Sequence, residues 1–217
     1  TLGKANVVLC VGAESMSRNP VAAYTHRAGF RMGQVEFKDF LWEATLDTAP
    51  KTSMGGTAEN LAVRYGIGRD EVDRFAAQSF ARGVAAWEAG WFGDEVSAVV
   101  NATWELDGYK PRGIRLADRA SVCDRDGHVR PTPLETLQKL KPAFGGVQTG
   151  GNSSAIVDGA AAVLVARGDW VRAHGLQPLA RVVAGAAAAV PPEIMGIGPA
   201  PAIRAAARLA GIAVEDI

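Results

Sequence analysis

Two uninterrupted apolar runs, Val7–Val11 (VVLCV) and Ala160–Ala166 (AAAVLVA), constrain the fold of this chain most. A run without polar alternation has no face to give to water, so each reads as a strand covered on both sides. The two are expected to lie beside each other in one sheet, despite their long separation. Between them the pattern changes to helical spacing, and strands alternating with helices predict an α/β fold.

The elements read as follows. Asn6–Val11 is a strand closed by Gly12, and GAESMSRNP is a loop ended by Pro20. Val21–Ser53 has weak periodicity and reads as a connecting or interaction region. Thr57 is expected to cap a short helix with Ala58, Leu61, Ala62 and Tyr65 on its apolar side, stopped by Gly66. A second helix starts near Arg69, with Asp70 and Glu71 suiting its dipole. Val72, Phe75, Ala76, Ser79, Gly83 and Trp87 recur along one face as far as Gly90. Glu95–Val100 reads as a strand, Asn101–Pro131 as polar hairpin and loop, and Pro133–Leu140 as a short helix. Gly145–Asp158 is a glycine- and serine-rich loop. Asp169–His174 is a short helix, Leu179–Val190 a long strand of small residues, and Pro199–Ala210 a helix ended by Gly211.

Composition excludes little. Lysine plus arginine equals aspartate plus glutamate, 23 each, so no general field draws nucleic acid or an anionic membrane. No apolar run approaches the roughly 20 residues of a membrane span. Two cysteines make no disulfide framework, and with no secretory signal visible a reducing cytoplasm is the expected location. Neither end carries a polar fringe, and the chain is expected to be a piece of something longer.

Four segments, in order along the chain, are similar to the thiolase family. They are GAESMS (Gly12–Ser17), MGGTAENLAVRYGIGRDEVDRFAAQSFARG (Met54–Gly83), LQKLKPAF with GVQTGGNSSAIVDGAAA (within Leu137–Ala162) and MGIGPAPAIR (Met195–Arg204). The resemblance implies a thiolase-like fold, a layered α/β/α core with a mixed sheet, here incomplete and with an inserted loop domain. It also implies that the two apolar strands run antiparallel.

The implied activity is acyl transfer between 3-ketoacyl-CoA, CoA and acetyl-CoA, by Claisen condensation or thiolytic cleavage, in fatty-acid metabolism. Such chemistry needs an activated cysteine, a base and oxyanion donors. In the family these come from C-x-SG, NEAF, GHP and CxGGGxG motifs, none of which occurs in these 217 residues. The first is expected upstream of Thr1 and the others downstream of Ile217. No catalytic residue is therefore assigned, and the chain alone is expected to be inactive.

The resemblance does assign CoA contacts. Gly150, Ser154 and Ile156 match positions along the pantetheine arm, where small residues permit close approach and the serine can hydrogen-bond. Met54 matches, and Ser53 stands where many members have histidine. Arg130 matches an arginine near the adenine end, with one residue fewer between HVRP and LETL. Thr136, Leu140 and Phe144 follow at matching places, and Met195 falls near the reacting thioester. The substrate is a CoA thioester, with no tightly bound cofactor, metal, nucleic acid or membrane partner.

Blander readings stand beside these. Cys10 reads as a buried structural thiol and Cys123 as incidental. His26, His128 and His174 share no ligand spacing. Glu14 is expected to fix the loop after its strand. The QTGGNSS loop lacks a Gly-Lys-Ser/Thr sequel and is no Walker-type phosphate loop.

The division implied is residues 1–17, the end of a first core repeat; 18–157, a loop domain covering CoA and serving oligomerisation; 158–176, the last strand and helix of that core; and 177–217, the start of a second repeat. Residues 22–36 match the tetramerisation loop, so the full-length protein is expected to be a homodimer or homotetramer. The rival reading is a non-catalytic CoA-binding or oligomerisation protein of the same fold.

Overall fold

The computed structural model describes residues 3–24, 26–116 and 119–217. Thr1 and Leu2 of the first expected segment, and Thr25 of the expected tetramerisation loop, lie outside them. The chain divides into two compact units, residues 1–67 with 154–217, and residues 68–153.

The first unit is built on an antiparallel ribbon. Val7–Ser15 pairs with Asp158–Ala166, from Val7 opposite Ala166 to Ser15 opposite Asp158. The two distant apolar runs are thus neighbours, as expected. The first strand continues through Gly12–Ser15, which read as loop, because Asp158–Ala161 supplies the opposite half of the ladder. Asp158 also anchors the turn that follows: its carboxylate accepts the Ser17 backbone N–H at 2.9 Å and the Ser17 hydroxyl at 2.6 Å. Glu14 does less than expected, accepting only the adjacent Ser15 N–H at 3.0 Å.

The expectation of strands covered on both sides is corrected. Leu9 is 63% exposed and its neighbour Val8 46%, so both faces of the ribbon meet solvent. Cys10 is exposed with them, not buried.

Helix Met54–Tyr65 belongs to the same unit and ends at Gly66, whose φ of 65° is the left-handed conformation glycine adopts cheaply. Its N-cap is Ser53, not Thr57: the Ser53 hydroxyl accepts the Gly56 N–H at 3.1 Å. Thr57 is buried one turn in and donates to the Met54 carbonyl at 2.8 Å. The turn Pro192–Ile197 packs on this helix, with Ile194 buried and Asn60 donating to the Glu193 carbonyl at 2.8 Å. A Cβ on Gly196 would come within 2.9 Å of Leu61 Cδ1, so glycine permits that approach. Helix Pro199–Ala210 ends at Gly211, as its pattern predicts. Leu179–Val190 is not a strand; it has no paired partner among the described residues, and extended backbone without a ladder is not sheet.

The second unit is organised by helix Arg69–Glu88. Its inward stripe is centred on Asp73 and Ala76, both buried, whereas Phe75 is 73% exposed. The expected stripe holds at Ala76 but not at Phe75, and its most buried position is a carboxylate, which an apolar pattern does not mark. Glu95–Val100 contributes only the short strand Val99–Val100, and the helix after Pro133 is one turn, Leu134–Leu137. No helix among the described residues is long and apolar enough to cross a membrane.

Candidate functional site

The glycine-rich loop is held by a buried polar network that composition did not reveal. Asp73 has no exposed surface. One carboxylate oxygen accepts Arg69 Nε at 2.7 Å, and the other accepts the Asn152 side-chain amide at 2.8 Å. Asn152 also donates to the Val147 carbonyl at 3.0 Å and accepts the Thr149 N–H at 2.7 Å. Thr149, fully buried, accepts the Gly151 N–H on its hydroxyl at 3.2 Å. Among the described residues no buried side-chain nitrogen or oxygen lacks a hydrogen-bond partner, as a buried polar network requires.

Arg69 extends the network to the short helix. Its Nη2 donates to the Leu137 and Leu140 carbonyls at 2.8 and 2.9 Å. The first carbonyl ends the helix and also accepts the Leu140 N–H at 3.0 Å; the second lies in the turn that follows. Leu137 is buried beneath the loop, and Gly151 fits against it because it has no side chain: a Cβ there would meet Leu140 Cδ1 at 2.5 Å and Leu137 Cδ2 at 2.6 Å. Gly150, by contrast, has open space where a Cβ would be and no left-handed φ. It is the glycine facing outward.

The ten expected contacts divide equally between the units. Thr136 lies on the one-turn helix, Leu140 and Phe144 on the turn after it, and Gly150 in the pinned loop itself. That turn is closed by the Ala143 N–H donating to the Gln148 carbonyl at 2.8 Å. Leu140 and Phe144 are 38% and 40% exposed, apolar surface that a ligand could cover. Arg130 follows Val129, whose Cγ1 lies 3.2 Å from where a Cβ on Gly83 would stand. Its side chain is exposed and has no carboxylate partner among the described residues.

The other five belong to the first unit. Ser53 caps the Met54–Tyr65 helix and Met54 begins it, the latter exposed. Met195 is exposed on the turn packed against that helix, while Ser154 and Ile156 are exposed just before the second strand of the ribbon. Arg69, Asp73 and Asn152 were the residues missed by sequence reasoning. Their signal is the i,i+4 Arg–Asp pair on one helix with a single asparagine in the loop, visible only once the pairing is known.

A family model for the thiolase N-terminal domain matches residues 1–169. The chain belongs to the thiolase family. It is 40% identical over 218 residues to the mitochondrial 3-ketoacyl-CoA thiolase of Homo sapiens, covering 99% of this chain and 52% of the relative. To an acetyl-CoA acetyltransferase of Paracoccus denitrificans it is 41% identical, covering 100% and 53%. The crystal structure of the human mitochondrial 3-ketoacyl-CoA thiolase in complex with CoA superposes with a TM-score of 0.86 at 40% identity, over 99% of this chain and 51% of that one. The fold is therefore the α/β thiolase fold in part. This thiolase chain spans about half the length of the curated relatives it matches.

These matches overturn the expected cytoplasmic location. Relatives from five mammals, 39–42% identical, are mitochondrial enzymes. The cysteine count speaks only of redox conditions, which more than one compartment shares, so it carried no address.

Proposed function

We propose that this chain is the CoA-holding part of an acyl-CoA:acetyl-CoA C-acyltransferase, a thiolase that condenses acyl-CoA units or cleaves 3-ketoacyl-CoA. The observation that carries this is the Gln148–Ser154 loop, fastened from beneath by Asp73 and Asn152 with its outer glycine unobstructed. A loop that must touch a flexible pantetheine arm gains from being fixed in advance, because ordering it on binding would cost affinity. Gly150, Ser154 and Ile156 are its proposed contacts with the arm, with Thr136, Leu140, Phe144, Ser53 and Met54 beside the CoA and Met195 near the thioester. Arg130 is proposed to meet the nucleotide, by stacking on adenine or pairing with phosphate.

In this reading the chain binds and orients the thioester, while the nucleophile and bases come from motifs these 217 residues do not contain. The exposed apolar ribbon fits that division, since both its faces call for cover. Residues 1–17, 18–157, 158–176 and 177–217 are the proposed family segments. They are drawn differently from the compact units, which separate after Ile67 and after Ser153. Residues 22–36 are proposed to make subunit contacts in a homodimer or homotetramer.

Calorimetric titration of the chain with CoA and with pantetheine tests the binding role. Arg130→Ala should weaken CoA and leave pantetheine nearly unchanged, because only CoA carries the nucleotide. An equal loss for both ligands would assign Arg130 to the fold. Failure of either ligand to bind the wild-type chain would remove the CoA-holding role.

A further inference from the structure

In the second unit, a hairpin carries an open concavity of about 290 Å³ lined by Trp104, Leu106, Tyr109, Lys110 and Arg112. Strand Ala102–Trp104 pairs with Arg112–Ile114, setting Trp104 directly opposite Arg112. The connection turns at Gly108, with φ of 81°, and closes with the Tyr109 N–H donating to the Leu106 carbonyl at 3.0 Å. The strands are tied at their base by close approach: a Cβ on Gly113 would meet the Ala102 carbonyl oxygen at 2.7 Å.

We propose that this hairpin binds a nucleotide, its base against the Trp104 and Tyr109 rings and its phosphates at Lys110 and Arg112. Three features carry the assignment. Trp104, Leu106 and Tyr109 are 49%, 65% and 69% exposed although they line one concavity, an apolar surface that water covers at a cost. Lys110 and Arg112 also line it, without an ion pair among the described residues, even with Glu105 and Asp107 in the same hairpin. The volume is at the low end of ligand cavities, roughly 300–1,000 Å³, so it suits one ring system with its charged substituent.

Aromatic faces stack on any base, and a paired lysine and guanidinium attract phosphate. A neutral aromatic would leave both cations unused, and inorganic phosphate would leave the rings bare. The charge pattern therefore selects a ligand that is both flat and anionic. None of the ten proposed CoA contacts lines it.

Titration of the full chain with ADP, adenosine and inorganic phosphate, read by calorimetry and tryptophan fluorescence, tests the proposal. ADP should bind, with adenosine and phosphate each weaker by about tenfold or more. Trp104→Ala, and Lys110→Ala with Arg112→Ala, should each weaken ADP by about tenfold or more, while Trp104→Phe keeps a stacking face and retains binding. Absence of ADP binding, or equal affinity for adenosine and ADP, would overturn it. So would ADP binding that survives both hairpin variants but is lost in Arg130→Ala, which would put the nucleotide in the CoA site.

Discussion

Asn152 donates its side-chain amide across 2.8 Å to the wholly buried carboxylate of Asp73, joining the glycine loop to the Arg69–Glu88 helix. Because Arg69 holds the other carboxylate oxygen and donates to the Leu137 carbonyl, the Asp73–Arg69 pair links helix, one-turn helix and loop.

Replacing that carboxylate should be among the most damaging single changes in the second unit. Asp73→Ala leaves the Asn152 amide and the Arg69 guanidinium without their shared acceptor. Arg69 keeps 26% of its side-chain surface in water, so the loss should be at the lower end for a buried pair, about 3 kcal/mol. Urea unfolding of wild type and variant measures it. A loss under about 1 kcal/mol would make the pair equivalent to a surface ion pair.

The two loop glycines should separate stability from binding. Gly151→Ala drives a methyl into Leu137 and Leu140; Leu140 can swing away but buried Leu137 cannot. The expected cost is about 1–3 kcal/mol, as for other overpacked sites. Gly150→Val should fold close to normally, given open space at its Cβ, yet weaken CoA by filling the channel. Thermal unfolding beside CoA titration distinguishes them, and unaffected CoA binding in Gly150→Val would move the pantetheine arm elsewhere.

The family motifs in the sequence contain most of the fold's connections but little of what holds them. Pairing of Val7–Val11 with Ala160–Ala166 was legible because continuous apolar runs read as strands and the resemblance implied that they are antiparallel neighbours. Pro199–Ala210 was legible from its proline start and glycine stop. Leu179–Val190 was misread because strand propensity cannot say whether a partner is present. Ser53 was singled out as a ligand contact, but its role as helix cap went unseen, since the neighbouring Thr57 is an equally good capping residue. Gly151 was hidden for a related reason: adjacent glycines look alike until packing distinguishes the one under two leucines.

Acid should release the turn after the first strand. The Ser17 hydroxyl, and then its backbone N–H, hold the Asp158 carboxyl below its ordinary value. With the folded value depressed, the contact's contribution is complete above the unfolded value, about 3.9, and is lost as pH falls through the folded one. The Ser17 amide resonance should therefore shift at a pH below about 3.9. Asp158→Asn should abolish that transition. A midpoint at or above the ordinary carboxyl value would contradict the two hydrogen bonds as the controlling contacts.

Thiolytic cleavage of a 3-ketoacyl-CoA tests the central claim most directly, measured for the chain alone and for a chimera in which it replaces the matching stretch of the Paracoccus denitrificans acetyl-CoA acetyltransferase. The chain alone should show no turnover, because the nucleophile and bases are absent and their removal from an enzyme costs several orders of magnitude. The chimera should cleave the substrate, because on the proposed reading this chain supplies the CoA contacts and the remainder supplies the chemistry. Turnover by the chain alone that disappears in Cys10→Ala or Cys123→Ala would contradict the account, as would a folded chimera with no activity.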